Sequence, residues 1–125
     1  LFMMGLRVAW PQLADQVQAV YAWSDTAPLG LRLALLPVIV FGEDLVWRGA
    51  ITLPLAARFG ALRGCLLGGI VFALAHLTTG PPLLLLAALA MGAVWGAMAI
   101  RTRSLVPVVV CHLLWDVLVM FVRPI

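Results

Sequence analysis

The stretch PLLLLAALAMGAVWGAMAI, residues 82–100, decides the fold class, because it runs for nineteen residues without a charged side chain. A helix rises about 1.5 Å per residue and a bilayer core is about 30 Å thick, so roughly 20 apolar residues can span it. The whole chain shares this character, since 65% of its 125 residues are hydrophobic and 10% are charged. A soluble domain carries roughly 25% charged residues. The composition therefore excludes an ordinary soluble globule and predicts a membrane protein.

Three further stretches are apolar enough to be spans, at residues 29–53, 61–77 and 105–122. None shows the period-two alternation of a β-barrel wall, so all are expected to be helices. We therefore predict an all-α fold, a polytopic membrane helical bundle of about four transmembrane helices. Residues 29–125 would form this membrane core.

Residues 1–28 have a different pattern. Gln and Asp alternate with aromatic and aliphatic residues at helical spacing, which predicts a membrane-proximal amphipathic segment with Trp10, Tyr21 and Trp23 at headgroup depth. The opening LFMMGL is consistent with the stump of a preceding helix, and the chain is expected to be a piece of a longer membrane protein.

The distribution of charge predicts an orientation and excludes one class of partner. Eight basic residues against five acidic ones give a net charge of +3. They are scattered and form no basic stripe, so no nucleic-acid partner is predicted. The connections after the first and third predicted spans carry Arg58 with Arg63 and Arg101 with Arg103. The positive-inside rule places both connections in the cytoplasm.

The scarce ionisable residues lie inside the apolar stretches. Glu43 is the only glutamate of the chain, and His76 and His112 are its only histidines. An ionisable residue within a membrane helix costs about 2.5–3.5 kcal/mol on insertion scales, so such residues are by default functional or paired. This concentration is the main functional clue in the sequence.

Helical geometry sorts these residues into pairs. Asp44 and Arg48 are one turn apart on one helix face and can form an ion pair. His112 and Asp116 have the same spacing on the last helix. Glu43 lies about 140° around the helix from Arg48 and is free to face elsewhere. Both pairs also have a purely structural interpretation, as a buried ion pair and as polar contacts between helices.

A bundle can bring four titratable side chains together at one interior cavity, namely Glu43, His76, His112 and Asp116. This set suits hydrolysis of an acyl bond, with a peptide as the expected substrate. In one scheme a divalent metal, most readily zinc, is bound by imidazoles and carboxylate and keeps a position open for water. In the other, Glu43 and His76 activate a water without metal and the last-helix pair stabilises the oxyanion. The HExxH zinc motif and the G-x-S-x-G serine motif are absent.

In their order along the chain these residues resemble the CPBP family, the CAAX protease and bacteriocin-processing (Abi-type) intramembrane proteases. The pattern of that family is E-E-x-x-x-R, then F-x-x-x-H, then H-x-x-x-(N or D). The corresponding segments here are EDLVWR at residues 43–48, FALAH at 72–76 and HLLWD at 112–116. The resemblance covers roughly residues 30–122. Asp44 departs from the pattern, because the family has a second glutamate there.

The resemblance implies an intramembrane endopeptidase acting on prenylated CAAX-type or other membrane-anchored protein or peptide substrates. Glu43 and His76 would activate water, and His112 and Asp116 would be the oxyanion or metal partners. If a divalent metal such as zinc is bound, its ligands would come from these same four residues. Asp44, Arg48 and Phe72 would be structural residues around the site, with Asp44 keeping the ion pair. The expected setting is an integral position among the lipids of a bacterial cytoplasmic membrane.

Two other functions compete with this hypothesis. The first is a non-catalytic membrane immunity or partner-binding module of the same fold, in which the polar cluster holds helices together. The second is a proton-relay or transporter fragment, since buried Glu, Asp and His also serve relays. A relay should tolerate Glu43→Asp far better than a protease does, and an immunity module should tolerate Glu43→Gln.

Overall fold

The computed structural model describes residues 2–78 and 80–121, without the side chains of residues 2, 3, 5, 6, 23 and 24. These residues form helices and no strand, which confirms the predicted all-α class. Seven α-helices and one π-helical segment follow each other along the chain: α1 Phe2–Ala9, α2 Pro11–Ser24, α3 Leu29–Asp44, the π segment Leu45–Thr52, α4 Leu53–Phe59, α5 Ala61–Ala75, α6 Pro82–Thr102 and α7 Val106–Phe121.

The first predicted span is one long helix made of α3, the π segment and α4. The backbone stays right-handed helical at both junctions, with φ −68° and ψ −35° at Asp44 and φ −64° and ψ −46° at Thr52. The helix ends at Gly60, whose φ of +88° is a conformation that glycine adopts without steric cost. Gly60 therefore serves as the break before α5.

One described helix, α6, is long and apolar enough to cross a bilayer. It has 21 residues and a mean hydropathy of 2.3, and only 28% of its apolar window is buried, unlike the core helix of a soluble protein. Helices α5 and α7 are apolar but shorter, with 15 and 16 residues. The predicted count of four spans is thus not confirmed, although the exposed faces of these helices are rich in Leu, Val and Ile.

Glycines let α5 approach its neighbours closely, as their four-residue spacing predicts. A methyl group at Gly64 would collide with the backbone of Ala56 on α4, and one at Gly68 would collide with Thr52 Oγ1. On the other side of α5, a methyl group at Gly92 of α6 would lie 3.2 Å from the Cα of Gly69. The contacts show that α5 runs antiparallel to α6. The two arginine-bearing connections therefore lie at the same end of the bundle.

The N-terminal segment is two helices and not one continuous amphipathic helix. The chain breaks at Trp10, and Pro11 occupies the first position of α2, where its missing N–H costs nothing. Gln16 of α2 accepts a hydrogen bond of 2.8 Å from the backbone N–H of Leu83, one of the unpaired donors at the start of α6. Helix α2 is thus tied to α6. The predicted headgroup position of Trp23 lies outside the described side chains.

Helices α3 and α7 run antiparallel and frame the functional region. Asp44, the last residue of α3, contacts His112 in the first half of α7. At the other end of the pair, the guanidinium of Arg32 on α3 lies over the ring of Phe121, the last residue of α7. The small buried core lies alongside, around Phe72 of α5 and Trp95 of α6. This arrangement leaves a cavity between α3, α5, α6 and α7.

Candidate active site

The cavity is the place where the predicted site residues meet. It has a volume of about 460 Å³ and is lined mainly by apolar side chains. Its titratable lining residues include all four of the predicted catalytic set, Glu43, His76, His112 and Asp116. A concave, mostly apolar pocket with a few convergent polar groups is the usual form of a small active site.

Two of the four residues, Glu43 and Asp116, flank an imidazole nitrogen of a third, His112. Nε2 of His112 lies 3.8 Å from Glu43 Oε2 and 3.7 Å from Asp116 Oδ2. The His112 side chain is almost fully buried, whereas 30% of the Glu43 side chain and 18% of the Asp116 side chain are exposed, here towards the cavity. The carboxylates are therefore accessible to a substrate or a water, and the imidazole is held behind them.

Asp44 connects this cluster to the buried arginine. Its carboxylate has no exposed surface, and its two oxygens make different contacts: Oδ1 lies 3.1 Å from Arg48 Nη1, and Oδ2 lies 3.2 Å from His112 Nδ1. The aspartate is thus long enough for the ion pair that the i, i+4 spacing predicts. The cross-helix contact with His112 was not predicted, because nothing in the local spacing indicates which helices pack together.

Two aromatic rings cover the guanidinium of Arg48. Its Cζ lies 4.1 Å from the ring centroid of Phe72 and 5.0 Å from that of Trp95. The ion-pair geometry with Asp44 does not align as a hydrogen bond, and Nη1 and Nη2 have no hydrogen-bond partner among the described residues. Cation–π contacts and the Asp44 charge therefore compensate the burial of this arginine.

Trp95 also holds the imidazole of His112. The two rings are stacked, with centroids 3.8 Å apart and planes inclined by 27°. Sequence reasoning missed Trp95, which lay unremarked within an apolar stretch. The signal in the sequence that could have indicated Trp95 was its position one turn before Ala99, on the face of α6 that also carries Gly92.

His76 lies on the wall that α5 contributes, at the end of its helix. Its Nδ1 is 2.8 Å from the backbone carbonyl oxygen of Phe72, and its ring packs edge-on against the Phe72 ring at 4.6 Å. These contacts explain the four-residue spacing from Phe72 to His76, since the phenylalanine supplies both a carbonyl acceptor and a packing surface.

The hydrogen-bond partners assign the tautomers of both histidines. A backbone carbonyl oxygen can only accept, so Nδ1–H of His76 donates to Phe72. Asp44 faces Arg48 and acts as an ionised acceptor, so Nδ1–H of His112 donates to it. In both rings Nδ1 is the nitrogen that makes the hydrogen bond.

The geometry does not fit a zinc site. Among residues 2–78 and 80–121, no group of three or more His, Cys, Asp and Glu side chains is placed to hold a metal ion. We therefore derive no step through a metal, and the expected zinc ligands stay a prediction.

A comparison with protein families gives a match over most of the chain. A family model described as "Type II CAAX prenyl endopeptidase Rce1-like" matches residues 25–118, which include every residue of the site. No curated protein and no solved structure gives a match. The matched region begins just before α3 and ends within α7. The chain belongs to the Rce1-like family of type II CAAX prenyl endopeptidases, a family of membrane proteases.

Proposed function

We propose that this chain is the core of an intramembrane endopeptidase that hydrolyses a peptide bond in CAAX-type or other membrane-anchored substrates. The observation that carries the proposal is the convergence of Glu43, His112 and Asp116 at one end of an apolar cavity that His76 also lines. A CAAX motif ends in two aliphatic residues and a variable one, and its cysteine carries a prenyl chain. An apolar cavity opening among membrane helices suits such a substrate.

Glu43 acts as the general base in this mechanism. Its carboxylate, which faces the cavity, removes a proton from a water that Nε2 of His76 helps to orient. The resulting hydroxide attacks the scissile carbonyl carbon and gives a tetrahedral intermediate. Glu43 then passes the proton to the leaving amine, so that the carboxylate is regenerated when the C–N bond breaks.

His112 stabilises the oxyanion of the intermediate, and Asp116 does so as the protonated acid, because an ionised carboxylate would repel that charge. Since Nδ1–H of His112 is used by Asp44, the ring donates from Nε2 only in its imidazolium form. Asp44 fixes the ring plane through its contact with Nδ1, as a buried carboxylate does for a catalytic histidine. Stabilisation of a developing charge in a site with little water is commonly the largest contribution to catalysis.

The proposed setting is a bacterial cytoplasmic membrane, with lipid around the bundle and a membrane-anchored protein or peptide as the partner. The exposed Leu, Val and Ile side chains of α5, α6 and α7 support contact with lipid.

The test uses the full-length protein in lipid vesicles with a farnesylated peptide ending in a CAAX sequence. Release of the C-terminal tripeptide is followed by mass spectrometry for wild type, Glu43→Gln and Glu43→Asp. We expect Glu43→Gln to lower kcat by about 10²- to 10⁴-fold, the usual contribution of a general base. Glu43→Asp should lose most activity too, because the shorter side chain moves the base away from the water.

Two results would contradict the proposal. Tripeptide release that persists in Glu43→Gln would remove the general base and favour the immunity or binding module. Full activity of Glu43→Asp in a proton-flux assay, without any peptide cleavage by wild type, would favour the relay. A zinc chelator, added in a parallel series, tests whether cleavage needs the expected metal.

A further inference from the structure

The cavity has a second charged end, away from Glu43. Arg32 lines it near the start of α3. Its Nη1 forms an ion pair of 2.9 Å with Asp25 Oδ1, and its guanidinium lies 5.4 Å from the ring centroid of Phe121. The Arg32 side chain is 20% exposed and that of Asp25 is 41% exposed. A cation that lines the cavity is therefore held between a more exposed carboxylate and an aromatic ring.

The wall between the two charged ends is apolar and belongs to one helix face. Arg32, Leu36, Ile39 and Glu43 follow each other at spacings of four, three and four residues, which places them in one row along α3. Leu36 is buried and Ile39 faces the cavity. Across the cavity, Ala88 and Met91 of α6 continue the apolar lining. A short segment with apolar side chains and one terminal negative charge matches this surface.

The length of the row also matches such a segment. Glu43 follows Arg32 by eleven positions, which corresponds to about 16 Å along the helix axis. An extended tripeptide spans about 10 Å from the scissile carbonyl to its terminal carboxylate. The remaining distance of about 6 Å is within the combined reach of the Glu43 and Arg32 side chains.

We propose that Arg32 binds the free C-terminal carboxylate of the substrate and so places the third peptide bond from the C-terminus at Glu43. This inference rests on the proposed peptidase function and adds the feature by which the site selects its substrate. The arginine fork suits a carboxylate geometrically, and it is a stronger partner when partly removed from water. Asp25 occupies the subsite in the free protein, and the substrate carboxylate displaces it.

The subsite predicts a dependence on the charge at the peptide terminus. The test compares two farnesylated CAAX peptides that differ only in ending as a carboxylate or a carboxamide. Binding is measured on full-length Glu43→Gln protein in lipid nanodiscs, which retains the peptide uncleaved, and KM and kcat are measured on wild type. We expect the carboxamide to raise Kd and KM about ten-fold or more, with kcat changed much less.

Variants separate recognition from a structural role. Arg32→Gln should bind the carboxylate peptide as weakly as the carboxamide peptide. Asp25→Asn removes the competing carboxylate and should lower Kd for the carboxylate peptide, whereas loss of a purely structural ion pair would weaken binding in both variants. The matched control is Arg58→Gln, since Arg58 also lies 5.4 Å from an aromatic ring, that of Phe59, but does not line the cavity. Arg58→Gln should leave the Kd of the carboxylate peptide and the Kd of the carboxamide peptide unchanged.

The outcomes are distinct for the inference and for the proposed function. Equal Kd values for the two peptides, or an equal loss for both peptides in Arg32→Gln, would overturn the carboxylate subsite. Discrimination in binding without any cleavage by wild type would keep the subsite and overturn the peptidase function. The peptide comparison and Asp25→Asn need no Arg32 variant, so they test the carboxylate subsite even if Arg32→Gln does not fold.

Discussion

Asp44 is the residue through which the buried charge pair and the proposed catalytic centre act on each other. It contacts Arg48 with one oxygen and His112 with the other while having no exposed surface. The ion pair within α3 and the π segment could be predicted from the i, i+4 spacing alone. The contact with His112 could not, because it depends on how α3 packs against α7, 68 residues away.

The ion pair gives a prediction for stability. Asp44→Leu or Arg48→Leu alone should lower the free energy of unfolding by about 3–5 kcal/mol, because each leaves an uncompensated buried charge. The double variant should lose clearly less than the sum of the two, since no unpaired charge remains at these two positions. Denaturant titration in mixed micelles measures the three values. Strictly additive losses would show that the two side chains do not stabilise each other.

Asp116 gives a prediction for activity. An amide N–H can donate to an oxyanion without needing to be protonated, so Asp116→Asn should keep peptide cleavage within about ten-fold of wild type. Asp116→Leu has a similar volume and no donor, and it should lose about 10²-fold or more in kcat. Tripeptide release under saturating substrate distinguishes them. Equal activity of the Leu and Asn variants would remove Asp116 from the oxyanion site.

At the scale of the elements, the π segment links α3, the helix that carries Glu43, to α5. Thr52 at its end donates a hydrogen bond of 2.7 Å from Oγ1 to the carbonyl oxygen of Trp47, five residues earlier, and its side chain packs against Gly68. The apolar stretches predicted helices here, although the first helix ends at Phe59, six residues beyond the predicted end at residue 53. They could not predict the wider π turn, because that depends on the fit of Thr52 against a neighbouring helix.

The close contact between these elements can be tested at Gly68. Gly68→Ala should lower the free energy of unfolding by about 1–3 kcal/mol, because the added methyl group would collide with Thr52 Oγ1. The matched control is Gly30→Ala on α3, where a methyl group meets nothing within 4 Å. There the higher helix propensity of alanine should stabilise the protein by roughly 0.5–1 kcal/mol. Thermal unfolding in detergent compares them, and equal shifts would disprove the close contact.

At the scale of the whole molecule, amino-acid composition predicts more of the fold than any motif does. The scarcity of charged residues predicted helices in lipid, and the exposed apolar faces of α5, α6 and α7 agree with that environment. Three local motifs predicted the candidate site residues, because each pair is set by helical spacing. Their meeting at a cavity, the ring of Trp95 and the opposing charge of Arg32 depend on packing between distant helices, which a single sequence does not encode locally.

The lipid-facing surface gives a prediction for membrane insertion. Val94 is 52% exposed near the middle of α6, so Val94→Asp should raise the free energy of insertion by about 2.5–3.5 kcal/mol. Val106 is 71% exposed but lies at the start of α7, beside an arginine-bearing connection, and Val106→Asp should have little effect. The membrane fraction that resists alkaline extraction reports the difference. Equal resistance of both variants would argue against α6 crossing the bilayer at this face.

The most direct test of the central claim is a comparison of membrane-protein termini in cells. Cells expressing full-length wild type or Glu43→Gln at matched levels are analysed by mass spectrometry, which requires no assumption about the substrate. The account predicts new C-termini that form only with wild type, each three residues short of an encoded CAAX-type end. Identical termini in both cells, with the protein's cellular phenotype preserved in Glu43→Gln, would contradict the account and identify the polar cluster as structural.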